Sequence, residues 1–350
     1  MDKSGAYRVN LAIILSIFIS LLALAFYFII GKAVLEGESN FQFYADSLTY
    51  EKLYFSNYFS SIHEMVGFGG NYLGPLLILE LFNGNRLAIL FLNCCIFLVS
   101  VRIIVYSSNV RPAVFILLLI LNPLTFFSLI SVNKEIISLL VCACFTRWLF
   151  SRWVGWILLA FLISFLVRWQ LAFFILFAYL SFSNFNLLRN YRLLFLAFVL
   201  LSISMVYYSI FGVFENVNAV ALAGAESNDG IGLYSFFNQL QSQGFYFIVF
   251  IPKTLQAMFG LAPNIVGVLS PENIYNDVII TLNAFISFVV FCFLIISGRF
   301  ILKNDMVFVF LLYCVIFTLS PIYSPRYFFS AYVFMAIALA SRSKSRSELR

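Results

Sequence analysis

Apolar positions in this chain run in blocks about twenty residues long rather than alternating or recurring at helical spacing. About 20 apolar residues are what a helix needs to cross a bilayer. Ten such spans are predicted, near residues 9–31, 87–106, 112–131, 136–150, 153–167, 170–184, 193–213, 276–298, 305–322 and 326–341. Tight turns at Asn133–Lys134–Glu135 and Arg168–Trp169 separate the short middle spans. Two polar-rich segments are longer, 32–86 and 214–275. Each holds an apolar piece, 71–82 and 244–268, that reads as re-entrant or interfacial; the second is interrupted by Pro252, Lys253 and Pro263. No internal repeat is visible. The predicted fold is all-α: one integral membrane domain over 1–350, a polytopic helical bundle with two larger extracytoplasmic loops.

Composition agrees with a bilayer as the main solvent. Hydrophobic residues make up 63% of the chain and charged residues 10%, against roughly 45–50% and about 25% in soluble domains. That excludes a soluble enzyme, a secreted disulfide scaffold and a disordered chain. The first apolar block is too long for the h-region of a cleaved signal peptide and is read as a retained span. All six cysteines lie in apolar runs, where they read as small hydrophobic residues; no metal site is expected.

Charge sets the orientation. With both termini cytoplasmic, the inner turns hold 14 of the 21 basic residues but only Asp2, Asp305 and Glu348 of the 15 acids. Every inner turn carries Lys or Arg, as the positive-inside rule requires. The net charge of +6 is spread without any run of five basic residues, so no nucleic-acid partner is implied.

Seven basic residues fall outside against that rule: Lys32, Lys52, Arg86, Lys134, Arg168, Lys253 and Arg326. Lys134, Arg168 and Arg326 stand in very short outer turns, near the outer membrane surface. Together they suggest an anion site; the plainer alternative is snorkelling or an ion pair with an acid such as Glu135. In the first loop, Asp46, Tyr50, Tyr54 and Tyr58 recur every fourth residue, which puts them on one face of a helix. A carboxylate with stacked rings suits a sugar; the alternative is an N-cap and an aromatic belt. His63 and Glu64 follow in the same loop, and His63 is a further sugar-site candidate. Glu215, Glu226 and Asp229 in the second loop read mainly as solvated loop charges. Phosphate-loop, nucleophile-elbow, HExxH and dinucleotide motifs are absent, so no cofactor is expected and reaction energy must arrive with the substrate.

Three stretches resemble bacterial polysaccharide polymerases of the Wzy and EpsG kind and, more loosely, GT-C glycosyltransferases. They are DSLTY from Asp46 to Tyr50; LNPLTFFSLISVNKEIISLL, with Asn133–Lys134–Glu135 at its turn; and SPIYSPRYFFSAYVFMAIAL, with Arg326–Tyr327 opening the last span. The chain departs from some Wzy proteins in lacking a pair of Arg-x10-Gly motifs in its outer loops. The resemblance implies a glycosyltransferase at the periplasmic face of the bacterial inner membrane, requiring no cofactor. It would polymerise undecaprenyl-diphosphate-linked repeat units into O-antigen or a related surface polysaccharide, with a chain-length regulator as an expected protein partner. Asp46 and then Glu135 are the expected acceptor bases. Lys134, Arg168 and Arg326 would hold the diphosphate; Tyr50, Tyr54, Tyr327 and His63 would hold sugar. A transferase of single sugars from a polyprenyl-phosphate donor is the nearest alternative, and a flippase of lipid-linked sugars the next.

Overall fold

A computed structural model describes residues 3–35, 45–56, 58–59, 61, 63–65, 70–184, 186–210, 232–260, 278–321 and 324–342. Among these residues the regular secondary structure is all helical, with one isolated bridge between Val110 and Ser341 and no strand. In chain order the helices are α1 (Lys3–Leu35), α2 (Ala45–Phe55), α3 (Gly70–Leu81), α4 (Arg86–Ser107), α5 (Pro112–Leu121), α6 (Pro123–Ile130), α7 (Lys134–Ser151) and α8 (Val154–Phe165). Then come α9 (Trp169–Phe182), α10 (Arg192–Ile210), α11 (Gly232–Ser242), α12 (Tyr246–Phe259), α13 (Ile280–Ile296), α14 (Asp305–Phe317) and, after a 3₁₀ turn at Pro325–Phe328, α15 (Phe329–Ala340).

Among the described residues, two helices are by themselves long and apolar enough to cross a membrane, within α1 and α4. A third crossing exists if α5 and α6 act as one span, and most of the other apolar helices have 10–17 residues. The expected span at 112–131 is thus not continuous. It bends by 79° at Asn122–Pro123. The cause is local: Pro123 cannot continue α5, and the Asn122 side chain accepts from the Leu124 amide at 2.9 Å, starting a new helix.

The chain divides into two compact units, residues 1–175 with 333–350, and residues 176–332. In the first, α1 packs on α4 and α5 through Val9, Ala12, Ser16, Ile19 and Ala23, a stripe at three- and four-residue spacing. Small residues there let the backbones approach, while Ile14, Phe18, Leu21 and Leu22 point outward and stay exposed. This is the pattern of helices whose outer solvent is apolar. Ser20 and Ser100 satisfy their hydroxyls on the carbonyls of Ser16 and Ile96, one turn back. Phe145, Phe174 and Phe334 meet in the core with ring centroids 5.7–6.0 Å apart.

The polar residues of this unit collect at opposite ends of α4. At its C-terminal end Arg8 donates to the Val105 carbonyl at 3.5 Å and to the Asn109 side chain. There too Arg111 donates its amide to Ala340, Arg342 its amide to Asn109, and the Arg147 guanidinium lies 4.7 Å from the Tyr106 ring. At its N-terminal end Arg86 meets Glu51. At 1.5 Å per residue the two clusters are about 30 Å apart along α4, close to the hydrocarbon thickness of a bilayer.

In the second unit α11 and α12 pack together and on α10, and α12 and α13 pack against the 3₁₀ turn. The Tyr313 and Phe317 rings of α14 stack at 4.0 Å.

Candidate functional site

The end of the first unit marked by Arg86 holds most of the residues singled out in the sequence. Asn93 begins the arrangement from inside α4. Its amide donates to the carbonyls of Ser128, Leu129 and Ser131 at 2.8–3.2 Å. These are the carbonyls that α6 leaves unpaired at its C-terminal end. The chain then reverses, and Asn133 caps α7 by accepting from the Lys134 amide at 2.8 Å. Lys134 and Glu135 therefore open the first turn of α7, where the helix dipole is positive.

Neither side chain lies at a wet surface, as outer turns would suggest. Lys134 is 7% exposed, Glu135 3% and Arg168 7%. The Arg168 guanidinium reaches across from the α8–α9 turn to Glu135 Oε1 at 3.4 Å. Glu135 Oε2 is buried and accepts no hydrogen bond among the described residues. Lys134 Nζ sits 5.4 Å from the centroid of the Tyr50 ring and 5.6 Å from that of Tyr72, which meet edge to face. The Arg168–Glu135 pair and the Lys134 ammonium on its two π faces thus open the same end of α7.

The first loop forms the aromatic wall. Tyr50 is buried in α2, in a cluster with Met65, Leu76, Leu79, Ile89 and Val132; Tyr54 is only partly buried against it. Helix α2 ends at Phe55, so Tyr58 lies beyond it, exposed, and the expected four-residue ladder stops at Tyr54. Asp46 lies in the first turn of α2; its side-chain surroundings fall outside the described residues. His63 is exposed in a short helical turn, with no described contact to the lysine cluster.

Helix α3 brings Tyr72 to the wall by a close approach. The Gly74 amide donates to the Leu166 carbonyl at 3.0 Å, and a Cβ at Gly74 would lie 2.1 Å from that oxygen. Pro75 follows directly and has no N–H to give, so the helix is irregular where it docks. Glu51 and Arg86 then pin α2 to α4 with two hydrogen bonds, 3.0 and 2.6 Å. Glu51, Tyr72, Gly74 and Asn93 were not among the sequence candidates. Arg86 broke the charge rule and needed an acid, and Asn93 was a lone amide in an apolar run; those were the available signals.

Arg326 and Tyr327 belong to the second unit, on the 3₁₀ turn. The Arg326 guanidinium lies 5.7 Å from the Tyr327 ring, and the Tyr327 carbonyl accepts from the Tyr313 hydroxyl at 2.6 Å. Lys253 is fully buried nearby in the same unit, donating to Gln241 Oε1 at 2.5 Å and the Ser320 carbonyl at 3.3 Å, with the Tyr234 ring 5.0 Å away. Tyr234, Gln241 and Asn238 donate to the carbonyls of Ser320, Leu319 and Pro321. The segment leading to Arg326 is thereby held by side chains rather than by helix. The chain matches no protein-family profile, no curated protein and no solved structure.

Proposed function

We propose that this protein is an integral membrane glycosyltransferase of the polysaccharide-polymerase kind, acting on lipid-diphosphate-linked oligosaccharides at the outer face of the bacterial inner membrane. The observation that supports this most is the buried Lys134–Glu135–Arg168 cluster, with one unengaged carboxylate oxygen and a wall of tyrosine rings. A lysine and an arginine gathered at a helix N-terminus suit a diphosphate. Aromatic faces suit the sugar attached to it. The exposed apolar helix faces, and the two polar ends about 30 Å apart along α4, favour a bilayer setting, and the Lys and Arg of the inner turns favour cytoplasmic termini.

In the reaction the acceptor hydroxyl oxygen bonds to the anomeric carbon of the growing chain. The bond from that carbon to the diphosphate oxygen breaks, and its electron pair leaves on the diphosphate. The acceptor proton passes to a carboxylate. Glu135 Oε2 has the free acceptor capacity for that proton, and Asp46 remains the second candidate. Lys134 and Arg168 stabilise the negative charge that develops on the leaving group. Arg326 enters this reading from its sequence context.

The test is deletion of the gene followed by gel analysis of surface polysaccharide. Single-repeat product selects the polymerase, and an intact ladder with one missing sugar selects a single-sugar transferase. An unchanged polysaccharide overturns both. Orientation is checked by thiol labelling of cysteines placed at Lys52 and Asn190 in a cysteine-free background. Labelling from outside at position 52 and not at 190 is expected; the reverse inverts the reading.

A further inference from the structure

The second unit contains a cleft of about 480 Å³ that the proposed reaction does not use. It is lined by Arg189, Asn190, Tyr191 and Arg192 of the α9–α10 turn, by Leu193 and Leu194, and by Leu302 and Lys303 from the α13–α14 turn. We propose that this cleft binds the phosphate of an anionic phospholipid in the leaflet that the Arg189 and Lys303 turns face.

Three features of the cleft converge on that ligand. The first is charge: Arg189, Arg192 and Lys303 line one concavity. Arg192 is fixed in place, donating to the Leu302 carbonyl at 2.8 Å and pairing with Asp305, while its guanidinium lies 4.9 Å from the Phe308 ring. One acid against three cations leaves a net positive cleft. Arg189 is exposed and donates to the Asn184 side chain at 2.7 Å, with further N–H groups to offer. Lys303 is exposed as well.

The second feature is backbone. Helix α10 opens at Arg192, and its first inward hydrogen bond runs from the Phe195 amide to the Tyr191 carbonyl. The amides of Arg192, Leu193 and Leu194 precede that bond, at the positive pole of a 19-residue helix. The third feature is the apolar rim. Leu187, Tyr191, Leu193, Leu194 and Ile301 are all exposed beside the cations. A free phosphate has no use for such a rim, whereas a phospholipid places acyl chains along it. The sequence puts both turns on the cytoplasmic side, where anionic lipid is recognised by Lys and Arg at span ends.

The test uses the purified full chain in a neutral detergent. Binding of phosphatidylglycerol, phosphatidylcholine and inorganic phosphate is read by native mass spectrometry and by thermal unfolding. The Arg189→Gln/Lys303→Gln double variant is compared with the wild type; both side chains are exposed, so the fold should persist. The expected result is saturable binding of phosphatidylglycerol over phosphatidylcholine, weakened about tenfold in the variant, with no equal effect from phosphate. Equal binding of the two lipids, equal binding by variant and wild type, or full reproduction by inorganic phosphate would each overturn the proposal. The readout is lipid binding alone, so it stands or fails apart from glycosyl transfer.

Discussion

Lys134 in the first unit and Lys253 in the second are both lysines withdrawn from solvent, at 7% and 0% exposure. Their surroundings differ in kind. Lys253 is met by neutral acceptors, Gln241 Oε1 and the Ser320 carbonyl, and by the Tyr234 ring. It joins a set of side chains that spend their donors on the backbone of residues 319–321. Lys134 lies over the Tyr50 and Tyr72 rings, next in sequence to Glu135, which pairs with Arg168 and has one oxygen uncommitted. The first arrangement uses its polar atoms to hold a chain segment. The second leaves a buried carboxylate oxygen uncommitted, where the first leaves only a neutral amide oxygen, Asn238 Oδ1.

Glu135 is what separates the two lysines, so its replacement has the largest expected effect. Glu135→Gln keeps the shape but removes the negative charge and the proton acceptor. Polymer formation is expected to fall by about 10²–10⁴-fold at normal protein level, the usual worth of general-base catalysis. The companion variant is Asp46→Asn, which can still support a helix N-terminus. If polymer survives Asp46→Asn and fails in Glu135→Gln, the acceptor base is Glu135. The opposite pattern moves the base to Asp46 and leaves Glu135 to orient Arg168.

The lysines themselves come next. Lys134→Met is expected to lower polymer by about 10²–10³-fold, as loss of a charge-stabilising donor does, with little change in protein abundance. Lys253→Met should do the reverse. It removes the ammonium donor from Gln241 Oε1, while the Ser320 carbonyl keeps the Tyr234 hydroxyl, and is expected to cost about 1–3 kcal/mol of stability, with polymer per folded molecule preserved. Abundance and thermal unfolding, measured beside the polymer ladder, separate the two. Equal behaviour of both variants would erase the distinction.

How much of this was legible beforehand differs between the units for physical reasons. Lys134 and Arg168 could be found because they break the charge rule at short turns; the structure pairs Arg168 with Glu135 and sets Lys134 on the Tyr50 and Tyr72 rings. Their burial could not be read, because it depends on α2 and α3 folding over the turn, and no local pattern encodes that docking. The kink at Asn122 was written in the Asn–Pro pair but was hidden by the continuous apolar run around it. Lys253 also broke the charge rule, yet its partners Gln241 and Ser320 lie 12 and 67 residues away. The helices were readable from hydropathy; their number as separate crossings was not, since most are shorter than 18 residues. Tyr58 followed the spacing but lies past the end of α2, so periodicity overstated the aromatic face.

Docking of α3 gives a smaller effect of a different sort. Gly74→Ala places a methyl 2.1 Å from the Leu166 oxygen, a backbone atom that cannot swing aside. Overpacking of this kind costs about 1–3 kcal/mol. The helix is expected to shift and carry Tyr72 away from Lys134, raising the substrate concentration needed for half-maximal rate more than it lowers the maximal rate. A Leu166 side-chain change would not mimic it, because the contact is to the carbonyl. If Gly74→Ala leaves both kinetic parameters unchanged, the aromatic wall is not part of the site.

The smallest expected effect belongs to His63, and it tests where the site ends. His63 and Met65 share one short helical turn of the first loop but face different surroundings. Met65 is buried in the Tyr50 cluster, whereas His63 is exposed. Met65→Ala removes packing behind Tyr50 and is expected to lower stability by about 2–5 kcal/mol if that cluster collapses little around the gap. His63→Ala removes a solvated ring with no described contact to Lys134, and exposed substitutions of this sort fall within about 0.5 kcal/mol. Polymer yield and length distribution should both match the wild type. The measurement is informative because an exposed histidine can still touch a long polymer that passes over the loop. In that case His63→Ala would shift chain length while leaving the first transfer intact, and the sugar site would extend from the tyrosine wall onto the outer surface of the loop.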